Sequence, residues 1–332
     1  MKLGLVLGNE YTARMPTTAR IDALIAQTRA ARDLGFDGVY AGQHYVTWPL
    51  QCIQPIPLLA RIAAEAGEMR LGTGIILLPL MHPVDMAEQI ATLDAICGGR
   101  FIFGVGIGYE EHEFHAFGLR KQDRARRLEE SLEIIKLLWT EDEVNYAGEH
   151  FTLEHVIPTT RPLASPHPPI WLAANNDPAV RRAARMGDAW LANPHARRDT
   201  LAAQIQVYRE ANGGTLPAEM PIMKDVFVAR THDAALAAIR PALERRYQVY
   251  VEQGQDKQMP AGDATFDLPF EELMADRFII GDPDEVVAEL RAYGAMGFTN
   301  VIAGVQPIDT DDAAALECIR LLGTEVLPHI GD

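Results

Sequence analysis

FIFGVGIGYEEHEFHAFG, residues 101–118, joins a buried strand to a candidate site. Residues 101–105 are apolar apart from one glycine, as a strand covered on both faces requires. The run gives way through Gly104, Gly106 and Gly108 to the acidic, histidine-bearing turn Tyr109-Glu110-Glu111-His112-Glu113-Phe114-His115. An α/β protein builds its site at the carboxyl end of its sheet in this way. Glycine lets the backbone approach a flat ligand, and the residues after it supply polar contacts. Glycine also simply ends strands, so the company this stretch keeps decides its meaning.

Seven further short aliphatic or β-branched runs share its character, at residues 3–7, 38–41, 71–77, 170–173, 190–192, 226–229 and 300–303. Helical patterns alternate with them. Ile21, Leu24, Ile25, Thr28 and Ala31 mark one face of the first, and Leu128, Leu132, Ile135 and Leu138 one face of another. Asp85 and Asp284 sit in first turns, where negative charge suits the helix dipole, and Asp282-Pro283 reads as a cap followed by proline at the first helical position. Strand–helix repeats without a break in composition predict an α/β protein, a single (β/α)8 TIM barrel spanning 1–332 as one domain. An open doubly wound parallel sheet is the competing arrangement. Two stretches are too long for a plain repeat and read as insertions: about 141–169 after strand 4, and about 245–268 after strand 7. Lids or oligomer contacts, and with them substrate specificity, are expected there.

The chain has 332 residues, 48% hydrophobic and 23% charged, enough to bury a large core. A formal net charge of −16 argues against nucleic acid and anionic membrane surfaces, both of which select basic patches; its plainer meaning is solubility. No apolar run reaches about 18 residues. The amino end, MKLGLVLGNEYTAR, turns polar too soon for a signal peptide, so no membrane span is expected. Cys52, Cys97 and Cys318 are scattered without CxxC spacing, which indicates neither a disulfide framework nor a zinc site and fits a reducing cytoplasm.

Several residues at strand ends carry candidate chemistry. Gln43 and His44 follow the second strand, where a histidine can donate a hydrogen bond to a ligand or shuttle a proton, or merely cap the strand end. Gly72 and Gly74 interrupt the third strand and predict a bulge. His82, before Pro83, reads as a helix-entry residue. His112 and His115 lie three apart among glutamates, but the spacing is not HExxH and no further ligand cluster joins them, so the turn reads as solvated and not as a metal site. Asn175 and Asn176 precede a helix bearing Arg181, Arg182 and Arg185. Free amides and asparagine side chains there suit a phosphate, with Asp177 as the expected cap; a plain capped helix is the alternative. No Walker motif, GxGxxG opening or GxSxG elbow is present.

Taken in order, AARDLGFDGVYAGQHY, RLGTGIILLPLMHP, GGRFIFGVGIGYEEHEFHAFG, VNYAGEHF, PPIWLAANNDPAVRRAARMGDAW and FIIGDPDEVVAELRAYGAMGFTNV make the chain resemble the bacterial luciferase-like flavin-dependent oxidoreductases, including their deazaflavin F420 branch. The resemblance implies a barrel that binds reduced FMN, or coenzyme F420, at its carboxyl face. His44 would lie beside the reactive edge of the ring. Gly74–Ile75 would form the bulge that often holds a non-prolyl cis peptide, Gly106, Ile107, Gly108 and Tyr109 would line the ring or ribityl chain, and Ala174, Asn175 and Asn176 would bind phosphate. Family members often carry an acidic residue before the histidine; Gln43 stands there in this chain, which weakens tuning of His44 by a neighbouring carboxylate. With reduced FMN and oxygen the enzyme would oxygenate a small organic substrate in a dry pocket, supplied by a separate flavin reductase. With F420 it would exchange hydride with an alcohol, imine or enone, and Arg181, Arg182, Arg197 and Arg198 would rim the pocket for the acidic tail. A flavin-binding protein without turnover is the third reading. The family also leads one to expect a cytoplasmic homodimer.

Overall fold

A computed structural model describes residues 1–12, 15–260, 263 and 265–331. Eight parallel strands close into a ring: β1 (Lys2–Leu7), β2 (Gly38–Ala41), β3 (Arg70–Thr73), β4 (Phe101–Gly106), β5 (Ile170–Ala174), β6 (Ala189–Ala192), β7 (Pro221–Val228) and β8 (Asn300–Gly304). Each pairs with the next in the chain, and β8 returns to β1 with Lys2 opposite Asn300. Closure rules out the open doubly wound sheet. The principal helices are α1 (Thr17–Asp33), α2 (Pro55–Ala63), α3 (Pro83–Ile96), α4 (Arg124–Thr140), α5 (Asp177–Met186), α6 (Arg198–Ala211), α7 (His232–Gln253), α8 (Pro283–Ala295) and α9 (Asp312–Leu321).

The pleat explains why β4 is apolar on both faces. Phe101, Phe103 and Val105 join the core between strands and helices, whereas Ile102 turns inward with Tyr40, Trp171, Leu191 and Ile302 to fill the barrel. Tyr40 stacks on Trp171 with ring centroids 5.6 Å apart. Room for it comes from two neighbouring strands: a Cβ at Gly4 or Gly72 would fall 2.9 or 2.6 Å from the tyrosine ring. At the amino-terminal mouth Arg70 lies over Trp171 and pairs with Asp37 and Glu219. The lumen is therefore plugged below and open only above.

Several local expectations are corrected. The third strand does not run unbroken from 71 to 77. It ends at Thr73, the Gly74–Ile75 peptide is cis, and Ile76–Leu77 pairs again with β4. The seventh strand starts at Pro221, ahead of the expected 226. Its first half closes the barrel against β8, and its second half pairs with a short strand, Ile279–Gly281, that hydropathy did not reveal. Lys224 and Asp225 in its middle hide the apolar pattern. Asn176, and not Asp177, caps α5 by accepting the Ala179 amide at 3.1 Å. Asp282 does cap α8, in a reciprocal capping box with Glu285.

Residues 141–169 form an antiparallel hairpin, Val144–Ala147 with Thr152–Val156, followed by the proline-rich tail. Buried Glu130 on α4 accepts the amides of Glu149, His150 and Phe151, and buried Asp94 on α3 accepts those of Leu163 and Ala164. The stretch 245–268 opens as the last turns of α7, and the chain leaves the helix only at Gly254, whose φ of 74° needs no Cβ.

Gly104 shows how tightly β3 and β4 approach, because a Cβ there would sit 1.8 Å from the Thr73 carbonyl oxygen. Backbone cannot yield as a side chain does. We expect Gly104→Ala to destabilise the fold by at least about 3 kcal/mol, the upper end of ordinary overpacking, in a denaturant melt. Gly106→Ala should cost less, since its neighbour at 2.8 Å is the movable Cδ1 of Ile75.

Candidate active site

The strand ends surround a cavity of about 320 Å³, within the usual range for small-ligand sites. Every residue expected to touch the ring, ribityl chain or phosphate lies on its wall. Gln43 and His44 leave β2, Gly74 and Ile75 form the break after β3, Gly106, Ile107, Gly108 and Tyr109 leave β4, and Ala174, Asn175 and Asn176 leave β5. Gly42, Gly74, Gly106 and Gly304 leave much of the rim as bare backbone. A flat ring system needs such a floor, so the residues present fit a flavin or deazaflavin.

His44 owes its charge to β4. Its Nδ1–H donates to Glu113 Oε1 at 3.2 Å, and that same oxygen accepts the Tyr45 amide at 2.8 Å. Glu110 Oε1 stands 3.6 Å from Nδ1, and both carboxylates are buried. Burial pushes the imidazole down. The Glu113 hydrogen bond and the charges of Glu10, Glu113 and Glu110 outweigh it and raise the pKa to about 9. Where Gln43 supplies no acid, two arrive from the turn and short helix after β4. Gln43 is buried and structural: its Oε1 accepts the Leu77 amide at 2.9 Å and its Nε2 donates to the Tyr45 hydroxyl at 2.9 Å. Sequence reading missed Glu110 and Glu113 as partners of His44. The available signal was two acids three apart, opening a short helix just after a glycine-ended strand.

Ligand atoms of His44, Glu110 and Glu113 lie within 4.8 Å of one another. With the imidazole protonated, the three make an ion cluster in which His44 faces both carboxylates. His115 is exposed, and His82 accepts the Val84 amide at 3.3 Å as a helix-entry residue should.

The opposite wall, from β6, β7 and α7, was not anticipated. Buried Lys224 donates to the Pro194 and Ala196 carbonyls, both at 3.0 Å, and burial lowers its pKa to about 7. Arg246 pairs with Asp225 at 2.5 Å. His195 Nδ1 lies 2.8 Å from the Tyr247 hydroxyl, and burial, helped by nearby Lys224, Arg246 and Arg277, lowers its pKa to about 3, leaving a neutral ring. Tyr250, Gln255 and Gln258 complete this wall. The stretch 245–268 therefore does reach the cavity. The expectation that 141–169 also shapes specificity is corrected, since none of its residues lines the cavity; they pack outside α3 and α4.

The expected basic rim does not assemble. Arg182 pairs with Glu129, Arg197 with Asp263, and Arg198 with Glu289, and none of them lines the cavity. Arg181 is exposed on α5, also off the cavity wall. Arg124 at the start of α4 reaches Gln258 at the cavity edge at 3.2 Å, and its Nε has no partner.

Because the folded state raises the His44 pKa, protonated His44 stabilises the fold fully below about pH 6.5, and that contribution is lost as pH rises through about 9. Histidine NMR titration should find His44 near pH 9 in the native chain. In Glu113→Gln it should fall by more than one unit; an unchanged value would remove Glu113 as its partner.

A luciferase-like monooxygenase family model matches residues 1–300. An F420-dependent glucose-6-phosphate dehydrogenase of Nakamurella multipartita is 28% identical over 317 residues, covering 91% of this chain and 90% of that protein. The oxygenase component of a flavin-dependent trigonelline monooxygenase of Acinetobacter baylyi is 26% identical over 318 residues, covering 90% and 87%. A monooxygenase from Streptomyces bottropensis superposes with a TM-score of 0.85 at 25% identity, covering 99% of each chain. Among the described residues no helix is long and apolar enough to cross a membrane. A closed barrel, a glycine-floored slot and a charged histidine at its edge accompany that family match along most of the chain, which belongs to the luciferase-like monooxygenases, a family of flavin- and deazaflavin-dependent oxidoreductases.

Proposed function

We propose that this enzyme uses reduced FMN and O2 to oxygenate a small, uncharged organic substrate. The observation that carries the choice of cofactor is the state of the cations. Arg124 has no carboxylate within ion-pairing distance among the described residues and touches Gln258 of the cavity wall, which suits a single phosphate. A longer acidic tail calls for more basic residues on the wall; Arg182, Arg197 and Arg198 are engaged by carboxylates, and Arg181 stands off the cavity. Hydride transfer with coenzyme F420 is the second reading, favoured by the F420-dependent relative.

When bound, the flavin would supply the electrons that reduce oxygen. The chain's own residues would do the rest. The glycines after β2, β3 and β4 would let the ring lie against backbone. Ala174, Asn175, Asn176 and Arg124 would hold the phosphate, with Asn176 acting through the amides of α5, since its side-chain oxygen is spent on the cap. His44 would hold a proton at the reacting edge through Nε2, the nitrogen that Glu113 does not occupy. Leu7, Ile75, Leu77, Ile107, Leu191 and Met223 would keep the pocket dry.

On the far wall, among the described residues, Arg246 pairs with Asp225, Lys224 is held by two carbonyls, and His195 is uncharged, so each basic group there is engaged or neutral. This supports an uncharged substrate. A separate flavin reductase fits the reading, since the trigonelline relative is named as an oxygenase component. A cytoplasmic homodimer belongs to the same proposal.

Fluorescence titration of the apoprotein with FMN and, separately, with F420 decides the cofactor. FMN should bind more tightly, and failure of both to bind below about millimolar would sink the proposal. His44→Ala should leave FMN affinity within about threefold and slow turnover by about 100-fold or more, the usual contribution of a positioned proton donor.

A further inference from the structure

Each carboxylate beside His44 has one buried oxygen without a hydrogen-bond partner, Glu110 Oε2 and Glu113 Oε2, and their remaining contacts differ. Glu113 Oε1 is engaged by His44 and by the Tyr45 amide, so Glu113 anchors the ring. Glu110 bridges. Its Oε1 stands 3.6 Å from His44 Nδ1, and its Oε2 stands 3.2 Å from His112 Nε2. The Glu110 side chain is 2% exposed and that of His112 is 48% exposed, so the three groups step from the cavity wall to solvent. The His112 contact is out of line for a hydrogen bond, which leaves Glu110 Oε2 buried without a partner. A buried carboxylate oxygen in that position is costly as an anion and much less so when it carries a proton. Burial, with the Glu113 charge adding to it, raises the Glu110 pKa against the opposing pull of His44 and His112.

We propose that Glu110 and His112 form a proton relay that connects His44 to solvent on the side away from the cavity. The inference rests on the reading of His44 as the group that carries a proton at the reacting edge. A cavity filled by flavin and substrate and closed to water gives that proton no exit of its own, and the relay supplies one. In the outward direction His44 takes a proton at Nε2 and turns the Nδ1 proton that rests on Glu113 across to Glu110 Oε1, Glu110 passes a proton from Oε2 to His112 Nε2 once that ring swings into line, and His112 releases its Nδ1 proton to water. Each member gains one proton and loses one, and no electrons move. Rotation of the Glu110 carboxyl and return of both histidines to their Nδ1–H tautomers reset it. The other titratable groups facing the pair are Glu10 beyond β1, Cys52, Glu113, and the hydroxyls of Tyr109 and Tyr250. All five are buried or part-buried, and no contact among the described residues joins them to an exposed acid or base as Glu110 joins His112.

The test is exchange of the His44 Nδ1 proton with water, read by NMR on the full-length protein carrying 15N-labelled histidine. It needs no cofactor or substrate, so failure of the flavin titration would remove the functional reading without touching this result. His112→Ala, at a half-exposed position that should not disturb folding, is expected to slow the exchange at least about tenfold while the His44 pKa stays within half a unit. Added imidazole should restore the rate. Glu110→Gln should slow exchange as much and should not respond to imidazole. Wild-type exchange in His112→Ala, or slow exchange that imidazole fails to restore, would overturn the relay. A thermal melt of each variant separates loss of fold from loss of path.

Discussion

One buried carboxylate holds the site together. Glu113 lies fully inside the protein and spends one oxygen on two donors from the loop after β2, the Tyr45 amide and the His44 ring. An unpaired charge at that depth would cost several kcal/mol, so neither the loop nor the short helix carrying Glu113 is free to drift. Through this contact the ends of β2 and β4 are set relative to each other. Gln43 adds the end of β3 by accepting the Leu77 amide. The slot between these strands owes its width to three polar contacts, and its flatness to the glycines that leave nothing else in the way.

The same contact accounts for the electrostatic character of the cavity. Carboxylates gather beside His44, and on the opposite wall cations are matched to partners within the protein. An imidazole flanked by acids holds its proton at neutral pH, whereas His195, buried among Lys224, Arg246 and Arg277, gives its proton up. One cavity therefore presents a charged histidine on one side and a neutral histidine on the other. In the proposed function, proton chemistry belongs to the first wall and uncharged recognition to the second.

The barrel was legible because parallel strands covered on both faces leave continuous apolar runs, and because glycine marks the strand ends. The catalytic wall was legible for the same reason: His44, Gly74 and Gly106 each stand where a run stops. What stayed hidden was contact between distant strands. Nothing local to Gln43-His44 announces that its acids arrive from residues 110 and 113. Nothing in MKD at 223–225 shows a strand whose lysine is buried on carbonyls. Asp177 looked like the cap of α5 because aspartate caps well, yet Asn176 one residue earlier has the extended backbone that a cap requires. Hydropathy and spacing report what a residue tolerates; partners are set by the closing of the ring.

The path of the chain after β7 carries a consequence for descent. The wall that would face FMN is built by β2 to β5 and the turns directly on them. The wall that would face the substrate is completed by the end of α7 and the loop beyond it, reaching in with Arg246, Tyr250, Gln255 and Gln258. These residues come from one contiguous stretch that shares no strand with the glycine floor. Mutation there can redraw the specificity of a lineage while the redox half passes unchanged from ancestor to descendant. A barrel divided in this way can acquire new substrates by editing about a dozen neighbouring codons.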